Sequence, residues 1–235
     1  MLRYAGRLCG VPIMRRSYRS GESGFTLIEL MIGLLIGLIV LSGATYIFVI
    51  TVKSSRDVMY SARLNQELAA AVSIIEGDIR RAGSWRQASG NTSPYDDMGK
   101  DFNVVSGANC VLYNYDEDND SAIASDEYRG VKLDDSVLKF KTSGNDMSDC
   151  TTGQWDPITD DNFMTITDAT FVDQSVCTVI TSTTSSAVCP AAVGTDEVRS
   201  VRELAFTISA EVKSDTSWKK TVQESVRIRN DFYAH

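Results

Sequence analysis

Asp116, Asp118 and Asp120 alternate along an acidic stretch that closes on Glu127, and hard oxygen donors at such a spacing bind hard cations. Within residues 116–127 these carboxylates take positions 1, 3 and 5 of a twelve-residue loop. The backbone carbonyl of Ala122 stands at position 7 and Glu127 at position 12, where a bidentate ligand belongs. Ile123 occupies the place where such loops tuck an apolar residue inward. This is the donor order of a calcium loop, with two departures. Ser121 stands where a glycine normally supplies a positive φ, and Ala124 offers no side-chain donor at position 9, so the affinity should be modest. The alternative is a solvated acidic loop. Six carboxylates in twelve residues repel one another without a cation, and their spacing goes beyond mere acidity.

A second charged group stands out by its isolation. From Phe25 to Val52 the only side chain expected to carry charge is Glu29, near the start of an otherwise apolar run. A charge in hydrocarbon costs about 2.5 to 3.5 kcal/mol on insertion scales, so a carboxylate kept there signals a function. The run Gly24-Phe25-Thr26-Leu27-Ile28-Glu29-Leu30, preceded by Arg15, Arg16 and Arg19, resembles the processing site of type IV prepilins and of the related type II secretion pseudopilins. The resemblance implies that a prepilin peptidase cuts after Gly24 and methylates the new amine of Phe25. It also implies that Glu29 pairs with the amino terminus of a neighbouring subunit during assembly. An ordinary secretory signal would instead end near Leu41-Ser42-Gly43-Ala44, but its apolar region is shorter, about 7 to 15 residues. A plain membrane anchor accounts for the length and leaves Glu29 unexplained.

The basic residues ahead of the apolar run keep that end cytoplasmic, which places everything after Val52 outside the inner membrane. Residues 1–24, the expected leader, hold five arginines against Glu22; a start at Met14 would leave a more compact one. The whole chain carries a net charge of −8, and without the leader 18 basic and 30 acidic residues leave −12. Such an acidic surface argues against nucleic-acid binding, which depends on Lys and Arg at phosphates. Cys110, Cys150, Cys177 and Cys189 would lie in an oxidising compartment, where an even count reads as two disulfides. Zinc is disfavoured because no C-x-x-C is present and His235 is the only histidine. Of three possible connectivities, the sequence-local pairs Cys110 with Cys150 and Cys177 with Cys189 are expected.

These residues need elements to position them. Residues 25–52 are expected to form the membrane-spanning and assembly half of one helix, with Gly33, Gly37 and Gly43 available for close helix contact. Residues 53–83 continue it as an amphipathic half, with Val58, Ala62, Leu68, Ala69, Val72, Ile75, Ile79 and Ala82 forming an apolar stripe that ends at Gly83. Residues 84–235 read as an exported β-rich domain with strands at 110–115, 128–133, 137–141, 163–167, 169–172, 198–212 and 218–229. The alternation Leu204, Phe206, Ile208, Ala210, Val212, followed by Val222, Val226 and Ile228, predicts a long antiparallel hairpin. The fold class is therefore α+β, a long N-terminal helix packed on an antiparallel sheet.

Minor pilins of the PilW type, and their secretion relatives of the GspJ type, resemble the chain further. The resemblance rests on Asp78-Ile79-Arg80-Arg81-Ala82-Gly83, on Trp155 to Asp160 and on Val226-Arg227-Ile228-Arg229-Asn230. It implies a pilin fold and a subunit that initiates a pilus and stays at its tip. The partners it implies are other minor pilins, the major pilin and, in one variant of the reading, a large tip adhesin. A type II secretion pseudopilin remains the alternative. An enzyme is not expected: no histidine lies inside the domain, and G-x-S-x-G and phosphate-binding glycine motifs are absent, as is any signature of an organic cofactor.

Overall fold

A computed structural model describes residues 24–85, 102–105, 107, 109–179, 184–186, 198–230 and 232–234. The elements, in chain order, are helix α1 (Leu27–Ile79), then strands β1 (Phe102–Val105), β2 (Cys110–Asn114), β3 (Tyr128–Asp134), β4 (Val137–Ser143), β5 (Gln154–Pro157) and β6 (Met164–Asp173). They continue with β7 (Val176–Val179), β8 (Thr184–Ser186), β9 (Val198–Val201), β10 (Glu203–Val212), β11 (Asp215–Arg227) and β12 (Phe232–Ala234). The chain divides into two compact units, Met1–Lys53 and Ser54–His235.

In the first unit every described residue is exposed. The helix there needs no tertiary partner for its backbone, because its hydrogen bonds close internally, and it is long and apolar enough to cross a membrane.

In the second unit the same helix becomes one-sided. Leu64, Leu68, Ala71, Val72, Ile75 and Ile79 are buried, a spacing of three and four that puts them on one face. This face packs into a core shared with Val111, Tyr113 and Tyr115 of and just after β2, Ile166 and Phe171 of β6, and Leu204, Phe206 and Ile208 of β10. The long helix thus packs against antiparallel sheets in a pilin-like α+β fold. Val58, Ala62 and Ala69, expected on the stripe, are exposed instead. The buried face is rotated toward Leu64 and Ala71, so the sheets take up only part of an apolar surface broader than they are.

Three antiparallel sheets replace the single one expected: β1-β2-β3-β4-β5, β11-β10-β6 and β12-β9-β7-β8. Strands β3 and β4 join through Asp135 and Ser136, both at positive φ, as a two-residue primed turn requires. The strands expected at 163–167 and 169–172 are one strand, β6. Its register slips where Asp168 faces Ser209 and Ile166 faces Ala210, a bulge that breaks the period-two pattern between Ile166 and Ala169. The strand expected at 198–212 is instead two, β9 and β10, in different sheets. The break falls at Arg202, whose buried guanidinium donates to the Asn230 carbonyl. Strand β10 buries Leu204, Phe206, Ile208, Ala210 and Val212 in strict alternation and pairs with β11 as a hairpin.

Strand β2 is buried at all five positions because both of its faces are covered. Val111 faces the main core, while Cys110 and Leu112 join Cys150, Trp155 and Met147 in a smaller cluster on the other side. The Cys110–Cys150 disulfide, with its Cα atoms 6.5 Å apart, ties β2 to the segment covering that second face.

Candidate functional site

Gly24 and Phe25 precede α1, and Thr26 caps it. Its carbonyl accepts from the backbone N–H groups of Glu29 and Leu30, and its Oγ1 accepts from Glu29 N at 3.3 Å. Thr26 and Glu29 therefore stand in the N-cap and third-residue places of a capping box, and the helix dipole favours a carboxylate in the first turn. Glu29 is exposed and has no ion-pair partner among the described residues; Phe25 is 77% exposed. A Cβ added at Gly24, Gly33, Gly37 or Gly43 would meet nothing within 4 Å, so these glycines satisfy no packing need within the single chain.

At its other end α1 is held by two later segments. After Ile79 the backbone tightens, with Arg81 N donating to Asp78 O and Ala82 N to Ile79 O, and Gly83 adopts φ +69°. Gly83 N then donates to Asn114 O at 2.8 Å and Asp116 N to Ser84 O at 2.9 Å. Carbonyls of the turn that follows the helix accept from a distant segment: Arg229 N donates to Arg80 O and Asn230 Nδ2 to Ala82 O. The sequence runs 78–83 and 226–230 thus meet in space. Asp78 accepts from the Tyr115 hydroxyl at 2.8 Å, and Arg81 lies 4.1 Å over the Tyr115 ring. Burial, followed by the Asp78 carboxylate, pushes the Tyr113 and Tyr115 hydroxyls well above their usual range.

The acidic loop leaves β2 beside this helix terminus. The structure brings Asp116, Asp118 and Asp120 together, one carboxylate oxygen from each lying within 4.8 Å of the other two. Backbone N–H groups organise the turn: Asp120 N donates to Asp118 Oδ1, Ser121 N to Asp116 Oδ2 and Ala122 N to Asp120 Oδ1. Ser121 sits at φ +68° and Asn119 at +65°, in the left-handed region where glycine is favoured. Glu127 is not in the group of three. It is buried at the foot of the loop, with Oε1 accepting from Glu117 N and Oε2 from Ala124 N, so it holds the two arms of the loop together. Arg129 is engaged by Glu117 rather than by the clustered aspartates.

Cys177 is disulfide-bonded as well, and its partner, together with Cys189, lies outside the described residues. Residues 1–23 of the expected leader lie outside them too. Sequence reasoning missed the joint role of Asp78, Tyr115 and Asn230, whose separation along the chain leaves no local signal.

The family described as Prepilin peptidase-dependent protein B matches residues 57–228. The chain belongs to that family. The Prokaryotic N-terminal methylation motif matches residues 19–45, a span containing Gly24, Phe25 and Glu29. This is a prepilin peptidase-dependent, N-methylated prepilin-like protein, of a family that is generally structural rather than catalytic, and its motif and apolar helix suggest an inner-membrane anchor. No curated protein and no solved structure matches the chain.

Proposed function

We propose that this prepilin-like chain is a minor pilin of the PilW type that helps to initiate type IV pilus assembly and stays at the fibre tip with other minor pilins. The observation that carries the reading is Glu29, exposed and unpaired in the first turn of an apolar helix, four residues after Phe25. Hydrolysis of the Gly24–Phe25 bond frees an α-amine that is largely protonated near neutral pH, and a methyl group transferred to it leaves a basic nitrogen. A neighbour's ammonium beside Glu29 would neutralise a charge that costs about 2.5 to 3.5 kcal/mol in hydrocarbon. The apolar faces of residues 25–52 then bundle as subunits leave the membrane, with Gly33 and Gly37 allowing close approach. The partners of this step are the other minor pilins and the major pilin, and in the alternative reading a tip adhesin docks on the exported domain.

The test replaces the native copy with Glu29→Leu. The variant should insert at normal levels and be processed, yet leave the cells without pili in electron micrographs and sheared fractions. Gly24→Val should accumulate a leader-bearing form, and since the chain has room for the new side chain, the block would reside in the peptidase. Normal piliation with Glu29→Leu would exclude the pairing mechanism. Normal piliation with lost protein secretion on deletion would favour a type II pseudopilin, and normal pili that fail to adhere would favour an adhesin-docking role.

A further inference from the structure

The buried carboxylate at the start of the acidic loop needs a partner that the described protein does not supply. Asp116 is only 5% exposed, and while its Oδ2 accepts from Ser121 N, its Oδ1 has no hydrogen-bond partner among the described residues. A buried carboxylate oxygen without a donor bears its full desolvation penalty. The same side chain contributes an oxygen to the group formed with Asp118 and Asp120. Among the described residues no Lys or Arg pairs with any of the three, and the nearby Arg129 is taken by Glu117. We infer that residues 116–122 hold a calcium ion, ligated by the carboxylates of Asp116, Asp118 and Asp120.

The geometry suits this cation. The three carboxylate oxygens lie within 4.8 Å of one another, close enough to converge on one ion at calcium's usual distance of about 2.3 to 2.6 Å with a small adjustment of the two exposed side chains. Magnesium, at about 2.0 to 2.1 Å, demands a strict octahedron and gives up its waters reluctantly, whereas calcium accepts the irregular set a loop of this kind offers. Water and backbone carbonyls would complete the six to eight oxygens calcium takes. Glu127 acts as a positioning residue, since its carboxylate already spans Glu117 N and Ala124 N. Because Asp116 N also bonds Ser84 O, the ion would fasten β2 to the chain leaving the long helix. Its role is that of a structural clamp.

The experiment titrates the full-length chain, stripped with chelator and held in detergent micelles, with calcium chloride by calorimetry. One site with a dissociation constant on the order of 0.1 to 1 mM is expected, the range of extracellular modules. At about tenfold excess the domain should melt roughly 3 to 6 °C higher than in chelator. Asp118→Ala, at an exposed position outside the core, should abolish both signals, while Asp126→Ala, in the same loop but outside the cluster, should leave both intact. Equal melting temperatures in millimolar calcium and in chelator would overturn the inference. So would a calcium response that survives Asp118→Ala, which would reflect diffuse screening, or magnesium acting as strongly as calcium.

Discussion

The two halves of α1 have one backbone conformation and opposite surroundings. From Leu27 to Val52 all described side chains are exposed, and the helix there is set by composition and internal hydrogen bonds alone. From Leu64 to Ile79 it is set by a stripe of six buried residues against the sheets, with charged residues such as Arg63, Glu67 and Glu76 on other faces. The first half carries an exposed apolar surface and one carboxylate, Glu29, without an ion-pair partner among the described residues. The second has both kinds of partner within the fold, including Asp78 with Tyr115 and Arg63 with Asp160. A helix built this way divides its work: one half carries the exposed apolar surface that suggests a membrane anchor, and the other completes a domain.

That contrast can be broken most strongly by moving a charge. Leu68→Asp would bury an unpaired carboxylate in the core and should cost more than about 4 kcal/mol, enough to unfold a domain of ordinary stability. Leu35→Asp should leave the domain's melting unchanged and impair membrane insertion instead, by about 2.5 to 3.5 kcal/mol on insertion scales. Circular dichroism melts of the two full-length variants in detergent, with membrane fractionation, would check this. A domain equally destabilised by both substitutions would show that the halves are not separable.

The second effect sharpens the distal side. The Cys110–Cys150 bridge closes a loop with a sequence separation of 40, and loop closure of that size contributes about 4 kcal/mol before strain. Replacing both residues with Ala should lower the domain's melting temperature by roughly 8 to 16 °C. Hydrogen exchange should rise in β2 and around Cys150 while residues 27–52 keep their protection. An unchanged melting temperature would mean that packing of Leu112 and Trp155 alone holds the covering segment.

How far the sequence foretold these elements depended on whether a signal was local. The Leu204-to-Val212 alternation was legible because one strand buries one face along its whole length. The Asp116, Asp118 and Asp120 convergence was legible because the loop's own spacing dictates it. The bulge at Asp168 misled because a single polar residue out of phase looks like a strand end. The split at Arg202 was hidden because its cause, the carbonyl of Asn230, is 28 residues away. Short strands such as β1 and β5 carry too few residues for any period to show. The helix stripe was placed with an offset because alanines such as Ala62 and Ala71 say little about which way a helix face turns. Glu29 stood out for the opposite reason: no other side chain from Phe25 to Val52 was expected to carry charge, so its own chemistry was the signal.

The smallest effect tests one contact of the distal half at its edge. Arg63 of α1 donates to Asp160 Oδ2 at 2.8 Å, just before the turn that leads into β6. The Asp160 carboxyl is held below the usual range, first by the backbone N–H of Asn162 and then by that residue's side chain and Arg63. Its folded pKa is therefore lower than its unfolded one, so the ionised form favours folding. This contribution is fully present above the unfolded value, near pH 4, and is lost as pH falls toward the folded value. Asp160→Asn keeps an oxygen for the Asn162 N–H and puts an amide NH2 in place of the oxygen that accepts from Arg63, removing the ion pair. The variant should melt slightly below wild type at pH 7, with the gap closing as pH falls below about 4, and added salt should narrow the neutral-pH gap because the pair faces water. A gap that persists unchanged at pH 3 would assign the effect to the hydrogen bond rather than to the charge. The helix would then be held here by geometry alone, as it is by Asn230 at its end.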